Sequence, residues 1–425
     1  MKIVIIGAGP GGYQAAAYAA QKGAEVTLLE KDELGGTCLN CGCIPTKTLA
    51  HTAEMIELLK LDSGLVHSEK IQPDFRNIFE HKNLVIQQLR DGISVLMQQN
   101  KVNVVMGMAK LKDTHTVSVL SAVGQVEYHA DFILVSTGSS PKMLPIEGID
   151  GDNVLTSTDL LNMTQVPEKL TIIGAGVIGM EFASIYNSLG CQVTVIEYLK
   201  ECLPALDSDI AKRLRKTMEK RGVVFHMKTA VEMIPQDTPV LVATGRQPNI
   251  TDIGLEEVGI QFTPKGICTN ENLQTTLENI YAIGDVNGRQ LLAHAASMQG
   301  IHVINHIMGI QDNIRLEVMP AAIFTYPEAA CVGPSEDILK QEGRAYSCHK
   351  SFYRANGKAV CMNETEGLVK IFTDADDRLI GCHAYGAHAA DLIQEISVLM
   401  CCNTKLNQLH EMVHIHPTLG ELLIS

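Results

Sequence analysis

Twice along the chain an apolar run leads into a glycine turn and then into a helix-forming segment. This duplication constrains the fold more than any other feature. Lys2–Ile6 is followed by Gly7-Ala8-Gly9-Pro10-Gly11-Gly12, an alanine-rich stretch from Gly11 to Lys22, and a second apolar run, Glu25–Leu29. Leu170–Ile173 is followed by Gly174-Ala175-Gly176-Val177-Ile178-Gly179, a helical pattern from Val177 to Leu189, and the run Gln192–Ile196. Each series reads as strand, turn, helix, strand. The glycines allow a tight turn and let a pyrophosphate approach backbone at a helix N-terminus, where free N–H groups and the dipole favour an anion. Glu30 and Glu197 end the second strands at the same offset from the third glycine (30 − 12 = 18; 197 − 179 = 18). A carboxylate there can accept ribose hydroxyls. One G-x-G-x-x-G is often a plain turn, whereas two in matched surroundings point to two dinucleotide-binding units in an α/β fold. At the second unit, Glu197 would bond a free 2′-hydroxyl and repel a 2′-phosphate, so NAD is expected over NADP.

Between the units, residues 75–100 read as a long amphipathic helix, followed by short strand-like runs up to Phe132–Ser136. Strands are expected near Val240–Ala243 and Ile280–Ile283, and a helix from about Leu291 to Ile307. Beyond Pro320 the pattern changes: Leu368–Phe372 and Leu379–Ala384 look like sheet strands and Ala389–Met400 looks helical. A separate α+β C-terminal domain is the simplest account. The length of 425 residues suits about three domains. The net charge of −14 comes from acidic residues spread along the sequence, which argues against a nucleic-acid or membrane-surface partner, since both require a basic face. No run has the length of a membrane-spanning helix. The apolar start Met1–Gly7 is too short for a signal peptide, and no small-residue cleavage site follows it. The twelve cysteines are scattered, so reduced thiols in the cytoplasm are the expectation, and a disulfide there would be catalytic.

The densest cysteine segment is Gly35-Gly36-Thr37-Cys38-Leu39-Asn40-Cys41-Gly42-Cys43-Ile44-Pro45-Thr46-Lys47. Pro45 suits the first turn of a helix, which puts Cys43 at a helix N-terminus where the dipole and Lys47 stabilise a thiolate. Cys38 and Cys43 can close a small redox-active ring beside whatever the first glycine turn holds. Three cysteines at C-x2-C-x-C spacing can also bind a metal or simply be buried. No second His or Cys cluster lies nearby to complete a zinc site, and no metal is expected.

These residues resemble the class I pyridine nucleotide-disulfide oxidoreductases. The likeness runs nearly end to end: Gly7–Lys47, Thr137-Gly138, Gly174–Glu181, Thr244-Gly245-Arg246, Gly284-Asp285-Val286, Phe324–Gly333 and His414-Ile415-His416-Pro417-Thr418-Leu419-Gly420-Glu421. The resemblance implies two Rossmann-like domains, for FAD and NAD, plus an α+β C-terminal dimerisation domain. Their expected bounds are 1–148 for the first part of the FAD domain, 149–250 for the NAD domain, 251–318 for a return to the central domain and 319–425 for dimerisation. It assigns Gly7, Gly9, Gly12, Glu30, Thr137, Gly138 and Asp285 to the FAD site, with Ala109 and Ala293 approaching it through backbone. Lys47 is expected near the flavin N5, paired with Glu181. Gly174, Gly176, Gly179, Glu197, Val231 and Gly245 are assigned to the NAD site. Cys43 matches the thiolate facing the flavin, and Cys38 the one that exchanges with substrate.

His416 and Glu421 match the family's acid–base pair. From the residues alone a lone C-terminal histidine is usually a surface group, and His414-x-His416 can form a weak metal site. Pro417 is expected to start a short helix that places Glu421 about one turn inside it, where it can hold one ring nitrogen of His416. In the family this histidine serves the partner subunit, which implies a homodimer. Gly11–Ala16, the C-terminal motif and the NAD preference are closer to the dihydrolipoamide dehydrogenase branch than to glutathione reductase. That implies oxidation of a dihydrolipoyl group, with a lipoyl domain of a 2-oxoacid dehydrogenase or glycine cleavage complex as partner. The alternatives are reduction of another small disulfide by NADH, or a flavin-bearing thiol sensor. Cys401-Cys402 are expected to be buried in a helix.

Two departures from the family stand out. Cys41 occupies a position usually apolar or Arg. Between Glu197 and Thr244 the family has room for several antiparallel strands, and here Val231 to Val240 is nearly a direct connection. A shortened NAD domain is expected.

Overall fold

The computed structural model describes residues 1–60, 73–122 and 124–425. They fall into two compact units, one comprising 1–48, 79–142 and 245–316, the other 49–78, 143–244 and 317–425.

The first unit is built on a five-stranded parallel sheet in the order Ile280–Ala282, Phe132–Val135, Lys2–Ile6, Glu25–Glu30, Asn103–Met106. Val4, Ile5, Leu28, Ile133 and Leu134 are buried, as expected of strands covered on both faces. The chain order reverses on either side of Lys2–Ile6, and the crevice at the carboxyl ends of such strands is where α/β sheets bind ligands. The helix Pro10–Gln21 buries Ala15, Ala16 and Ala19. Small residues let it approach the helix Ala293–Ile307 closely: a Cβ on Gly11 would lie 3.0 Å from the Ala296 carbonyl, and one on Gly300 3.0 Å from that of Gly11. An antiparallel sheet of Met108–Leu111, Thr116–Ser121 and Gly124–His129 completes the unit's main framework.

In the second unit a five-stranded parallel sheet has the order Val224–Met227, Gln192–Glu197, Lys169–Ile173, Val240–Val242, Val154–Leu155. Its central strand has the same reversal of order. The chain passes from Val224–Met227 to Val240–Val242 with no strand of its own between them, only a bridge from Met233 to Glu147. Val231 packs with Ile146, Ile149 and Val154 against Ile173, Ile234 and Val240, so this short link is tied down by apolar contacts.

The C-terminal part of this unit is an antiparallel sheet, ordered Ala321–Ile323, Ala329–Val332, Leu379–Tyr385, Leu368–Thr373, Ser347–Phe352. The helix Ala389–Cys401 buries Leu392, Ile393, Ile396 and Met400 in the core formed with this sheet. A buried charged cluster joins the sheet to the helix Ser208–Lys220. Lys370 Nζ donates to both Asp207 oxygens at 2.7 Å and to Glu336 at 2.6 Å. Asp207 also caps that helix through the Asp209 and Ile210 N–H groups. Lys370 and Asp207 are each 1% exposed.

Two expectations are corrected here. Cys401 and Cys402 are exposed, not buried: the apolar face of their helix is 392/393/396/400, and 401 falls beside it while 402 is already the cap. Pro417 does not start the terminal helix. A 3₁₀ helix runs over Leu419–Leu423, and Thr418 is its cap residue because the Glu421 side chain returns to the Thr418 N–H in a capping box.

Candidate active site

The two glycine turns have nearly the same geometry. Gly7 has φ +102° and Gly174 φ +104°, and a Cβ on either would fall within 2.5 Å of a carbonyl oxygen, that of Ser136 or Ala243. A Cβ on Gly12 would lie 1.8 Å from the Gly7 oxygen, and one on Gly179 1.9 Å from that of Gly174. The middle glycines, Gly9 and Gly176, cap the helices, and a Cβ on either would have nothing within 4 Å. The backbone is therefore open where a pyrophosphate must approach, and closed only where strand packs on helix. This cradle fits a dinucleotide at each turn.

Each turn is locked by its acidic residue. Glu30 Oε2 accepts from the Ala8 N–H at 2.7 Å, and Glu197 Oε2 from the Ala175 N–H at 2.6 Å. Glu30 Oε1 also accepts from Lys31 and Asp32, and Glu197 Oε1 from Leu199. The carboxylates thus shape the turns.

The segment Gly36–Cys41 is a short helix, Gly42 breaks it, and Cys43 opens the helix Cys43–Lys60. Gly42 accepts from the Thr46 N–H and hydroxyl. Cys38, Cys41 and Cys43 are all partly exposed. The Cys38 thiol is hydrogen-bonded to Cys43, which together with burial pushes its ionisation well above the ordinary thiol range, and nearby Lys47 opposes the shift. The structure therefore places Cys38, Cys43 and Lys47 together, and the helix that carries Cys38 starts against the first glycine cradle, where a Cβ on Gly36 would lie 2.7 Å from Gly9 Cα.

Asp285 lies in the 3₁₀ turn Gly284–Asn287, just before the helix that Ala293 begins. Its carboxylate accepts from the Ser139 hydroxyl, and Arg246 Nε lies 3.8 Å from it while donating to Ser139 Oγ at 2.7 Å. Gln299 accepts from the Gly284 N–H at 2.8 Å and holds the turn. Thr137 and Gly138 are stitched to Asn249, which donates to the Thr137 and Gly138 carbonyls and accepts from the Thr137 hydroxyl. Ala109 sits mid-strand opposite Val119. Ser139, Asn249 and Gln299 were not singled out in the sequence. Arg246 was visible only as part of the Thr-Gly-Arg marker.

In the second unit Glu181 is 4% exposed and accepts from the Phe324 N–H at 2.9 Å. Gly245 belongs to the first unit, one residue past the boundary. His416 Nδ1 meets Glu421 Oε1 at 2.9 Å, and Glu421 Oε2 accepts from the Thr418 N–H. That N–H first, and His416 second, hold the Glu421 carboxyl below its usual range, so it is an anion throughout the neutral range. The His416 side chain is 79% exposed. His414 turns away to Glu395 and the Met412 carbonyl. The two histidines thus answer to separate carboxylates, and no group of three potential metal ligands occurs among the described residues. No helix among them is long and apolar enough to cross a membrane.

Each unit carries one nucleotide cradle; the first also holds the hydrogen-bonded thiol pair, and the second the carboxylate-held histidine. Residues 1–300 match the family model described as pyridine nucleotide-disulphide oxidoreductase, and residues 319–424 match its dimerisation domain. The chain belongs to the pyridine nucleotide-disulphide oxidoreductase family. Among its relatives, dihydrolipoyl dehydrogenase of Chlamydia muridarum is 36% identical over 441 aligned residues, covering 99% of this chain and 94% of that protein. Dihydrolipoyl dehydrogenase of Bacillus subtilis is 35% identical, covering 100% and 97%. The crystal structure of LpdA from Mycobacterium tuberculosis superposes with a TM-score of 0.93 at 29% identity, covering 100% and 98%. That of the HOCl-induced flavoprotein disulfide reductase RclA from Escherichia coli gives 0.89 at 28%, again covering 100% and 98%. The dimerisation domain supports a homodimer.

Proposed function

We propose that the protein is an FAD-dependent dithiol oxidoreductase that oxidises a dihydrolipoyl group and delivers the electrons to NAD. The observation that carries this reading is the Cys38–Cys43 thiol pair, hydrogen-bonded beside Lys47 with Cys43 at the head of a helix. FAD is assigned to Gly7, Gly9, Gly12, Glu30, Thr137, Gly138 and Asp285, with Ala109 and Ala293 lining it and Lys47 near its reactive ring. NAD is assigned to Gly174, Gly176, Gly179, Glu197, Val231 and Gly245, and Glu181 is assigned as the partner of Lys47. The relatives' names support the dihydrolipoyl substrate.

In the oxidised enzyme Cys38 and Cys43 are joined. His416, steadied by Glu421, accepts a proton from one substrate thiol; the resulting thiolate attacks Cys38 Sγ and releases Cys43 as a thiolate. The second substrate sulfur then attacks the first, closing the lipoyl disulfide and leaving Cys38 to take up the proton. Cys38 departs as the leaving group and is reprotonated, while Cys43 retains the electron pair. Bound FAD supplies the two-electron relay between this pair and NAD. The exposed His416 acts across the subunit boundary of the homodimer. A lipoyl domain of a 2-oxoacid dehydrogenase or glycine cleavage complex is the partner, and the scattering of twelve cysteines along the chain suits a reducing compartment such as the cytoplasm.

The test is NADH formation from dihydrolipoamide by FAD-replete protein, beside Cys43→Ser. Turnover by the wild type, with a folded, yellow and inactive variant, is the expected result; retained activity in the variant overturns the assignment. Better turnover of glutathione or coenzyme A disulfide with NADH would instead mark a disulfide reductase. The direct passage from Met227 to Val240 favours one other reading, a flavin-bearing thiol sensor. It requires bound FAD and reducible cysteines with no flavin reduction by NADH.

A further inference from the structure

Cys38 has a second neighbour for which the mechanism above has no use. Cys38-Leu39-Asn40-Cys41 is a C-x-x-C turn lying wholly within the helix Gly36–Cys41. Residues three apart on a helix share a face, and helix geometry sets their Cα atoms about 5 Å apart, inside the range a disulfide spans. The intervening residues are held elsewhere. Leu39 is 5% exposed against Gly35. Asn40 donates to the Leu34 and Gly36 carbonyls and accepts from Arg90 at 2.7 Å. Cys38 and Cys41 share the remaining helix face, and both are partly exposed.

Gly42 brings the third thiol to the same place. An ideal Cβ on it would lie 2.8 Å from the Thr37 carbonyl oxygen and 3.3 Å from Cys38 Cα. The backbone linking Cys41 to Cys43 thus packs directly on Cys38, and the two residues leave that point on either side of it.

We propose that Cys41 is a third active-site thiol, a second resolving partner for Cys38; the inference rests on the reading of Cys38 and Cys43 given above. The Cys41 thiolate attacks Cys38 Sγ when that sulfur is joined to Cys43 or to a substrate sulfur. The existing S–S bond breaks, the Cys38–Cys41 bond forms, and the displaced sulfur departs as a thiolate. One disulfide is exchanged for another, so no external oxidant or reductant enters the step. Its consequence for a thiol substrate is release from a stalled mixed disulfide on Cys38, with Cys43 left free.

All three cysteines fall between Lys31 and Lys47, so one tryptic peptide reports the pairing. The oxidised holoenzyme is equilibrated at pH 8 and its free thiols are alkylated under denaturing acid quench. It is then reduced, alkylated with a second reagent, digested and sequenced by mass spectrometry. The first label on Cys43 in a measurable fraction of peptides is the expected result. The first label on Cys41 alone overturns the inference and leaves the Cys38–Cys43 reading standing. The first label on Cys38 overturns it too, since Cys41 would then pair with Cys43. First label on all three shows no disulfide and removes the underlying reading itself. Cys43→Ser supplies an independent check. Treated with diamide, it should lose both remaining thiols of this peptide as an intramolecular disulfide; if both persist, Cys41 does not reach Cys38.

Discussion

Gly176→Ala separates the approach of a dinucleotide from the folding of its turn. Gly176 has φ −75° and ψ −173°, backbone that alanine adopts freely, and a Cβ there would have nothing within 4 Å. The chain without nucleotide should therefore be no less stable; an alanine at a compatible glycine adds about 0.4–1 kcal/mol by restricting the unfolded chain. Its neighbours differ: a Cβ on Gly179 would meet the Gly174 oxygen at 1.9 Å, and Gly174 itself has φ +104°, so changes there damage the turn. With nucleotide present, the new methyl stands where phosphate must come up to the helix N–H groups. Losing one hydrogen bond to a charged group costs about 1.5–3 kcal/mol. At 1.4 kcal/mol per decade this weakens NAD binding about 12- to 140-fold. Calorimetric titration of FAD-replete protein with NAD, paired with a thermal unfolding scan, reads both quantities. An unchanged dissociation constant with an unchanged midpoint would refute the placement of the pyrophosphate at Gly176. A lowered midpoint would refute the claim that the methyl is accommodated.

Lys370→Met leaves Asp207 buried without its cation and should cost about 3–5 kcal/mol in urea unfolding, with Asp207→Asn in the same chain recovering part of it. Burial pulls the His383 imidazole down to about 4, while the unfolded chain titrates near the ordinary value of about 6.5. The unfolded state binds more protons in that window, so the stability associated with neutral His383 is present above pH 6.5 and lost as pH falls toward 4. The depression corresponds to about 3 kcal/mol, and urea unfolding at fixed pH should show the slope in the wild type and lose it in His383→Gln. Glu421→Gln removes the anion that orients His416, and kcat for dihydrolipoamide should fall about 100-fold, the low end for a positioned acid–base group, with FAD content unchanged.

The elements that carry the site were legible because local chemistry dictates them. Only glycine serves at positions 7 and 174, where φ is strongly positive, so the turns are written as G-x-G-x-x-G with buried strands before them. Pro45 foretold that Cys43 heads a helix. What escaped the sequence depends on distant pairing. Ser139 meets Asp285 across 146 residues and Asn249 meets Thr137 across 112; nothing in the local pattern of either residue marks it. The same holds for Lys370, which looks like an ordinary alternating strand residue until Asp207, 163 residues away, is set beside it. Pro417 points to a helix start two residues too early, because the capping box of Thr418 with Glu421 sets the start at Leu419.

The two cradles are copies in backbone but not in what their carboxylates have left to give. An ionised carboxylate offers about four acceptor directions. Glu30 spends three on backbone N–H groups, from Ala8, Lys31 and Asp32, and is 8% exposed. Glu197 spends two, on Ala175 and Leu199, and is partly exposed. The first carboxylate is thus largely committed to the protein, which suits a turn organised around a resident cofactor. The second keeps two acceptor directions, enough for both hydroxyls of a ribose that binds and leaves with each turnover. If Glu197 reads the ribose as proposed, the same spare capacity disfavours a 2′-phosphate. The free lone pairs of Glu197 would face the phosphate directly, so Glu197→Gln should narrow the gap between NAD and NADP more than any change at Glu30. Steady-state KM ratios for the two nucleotides measure it, and an unaltered ratio would show that Glu197 does not read the ribose.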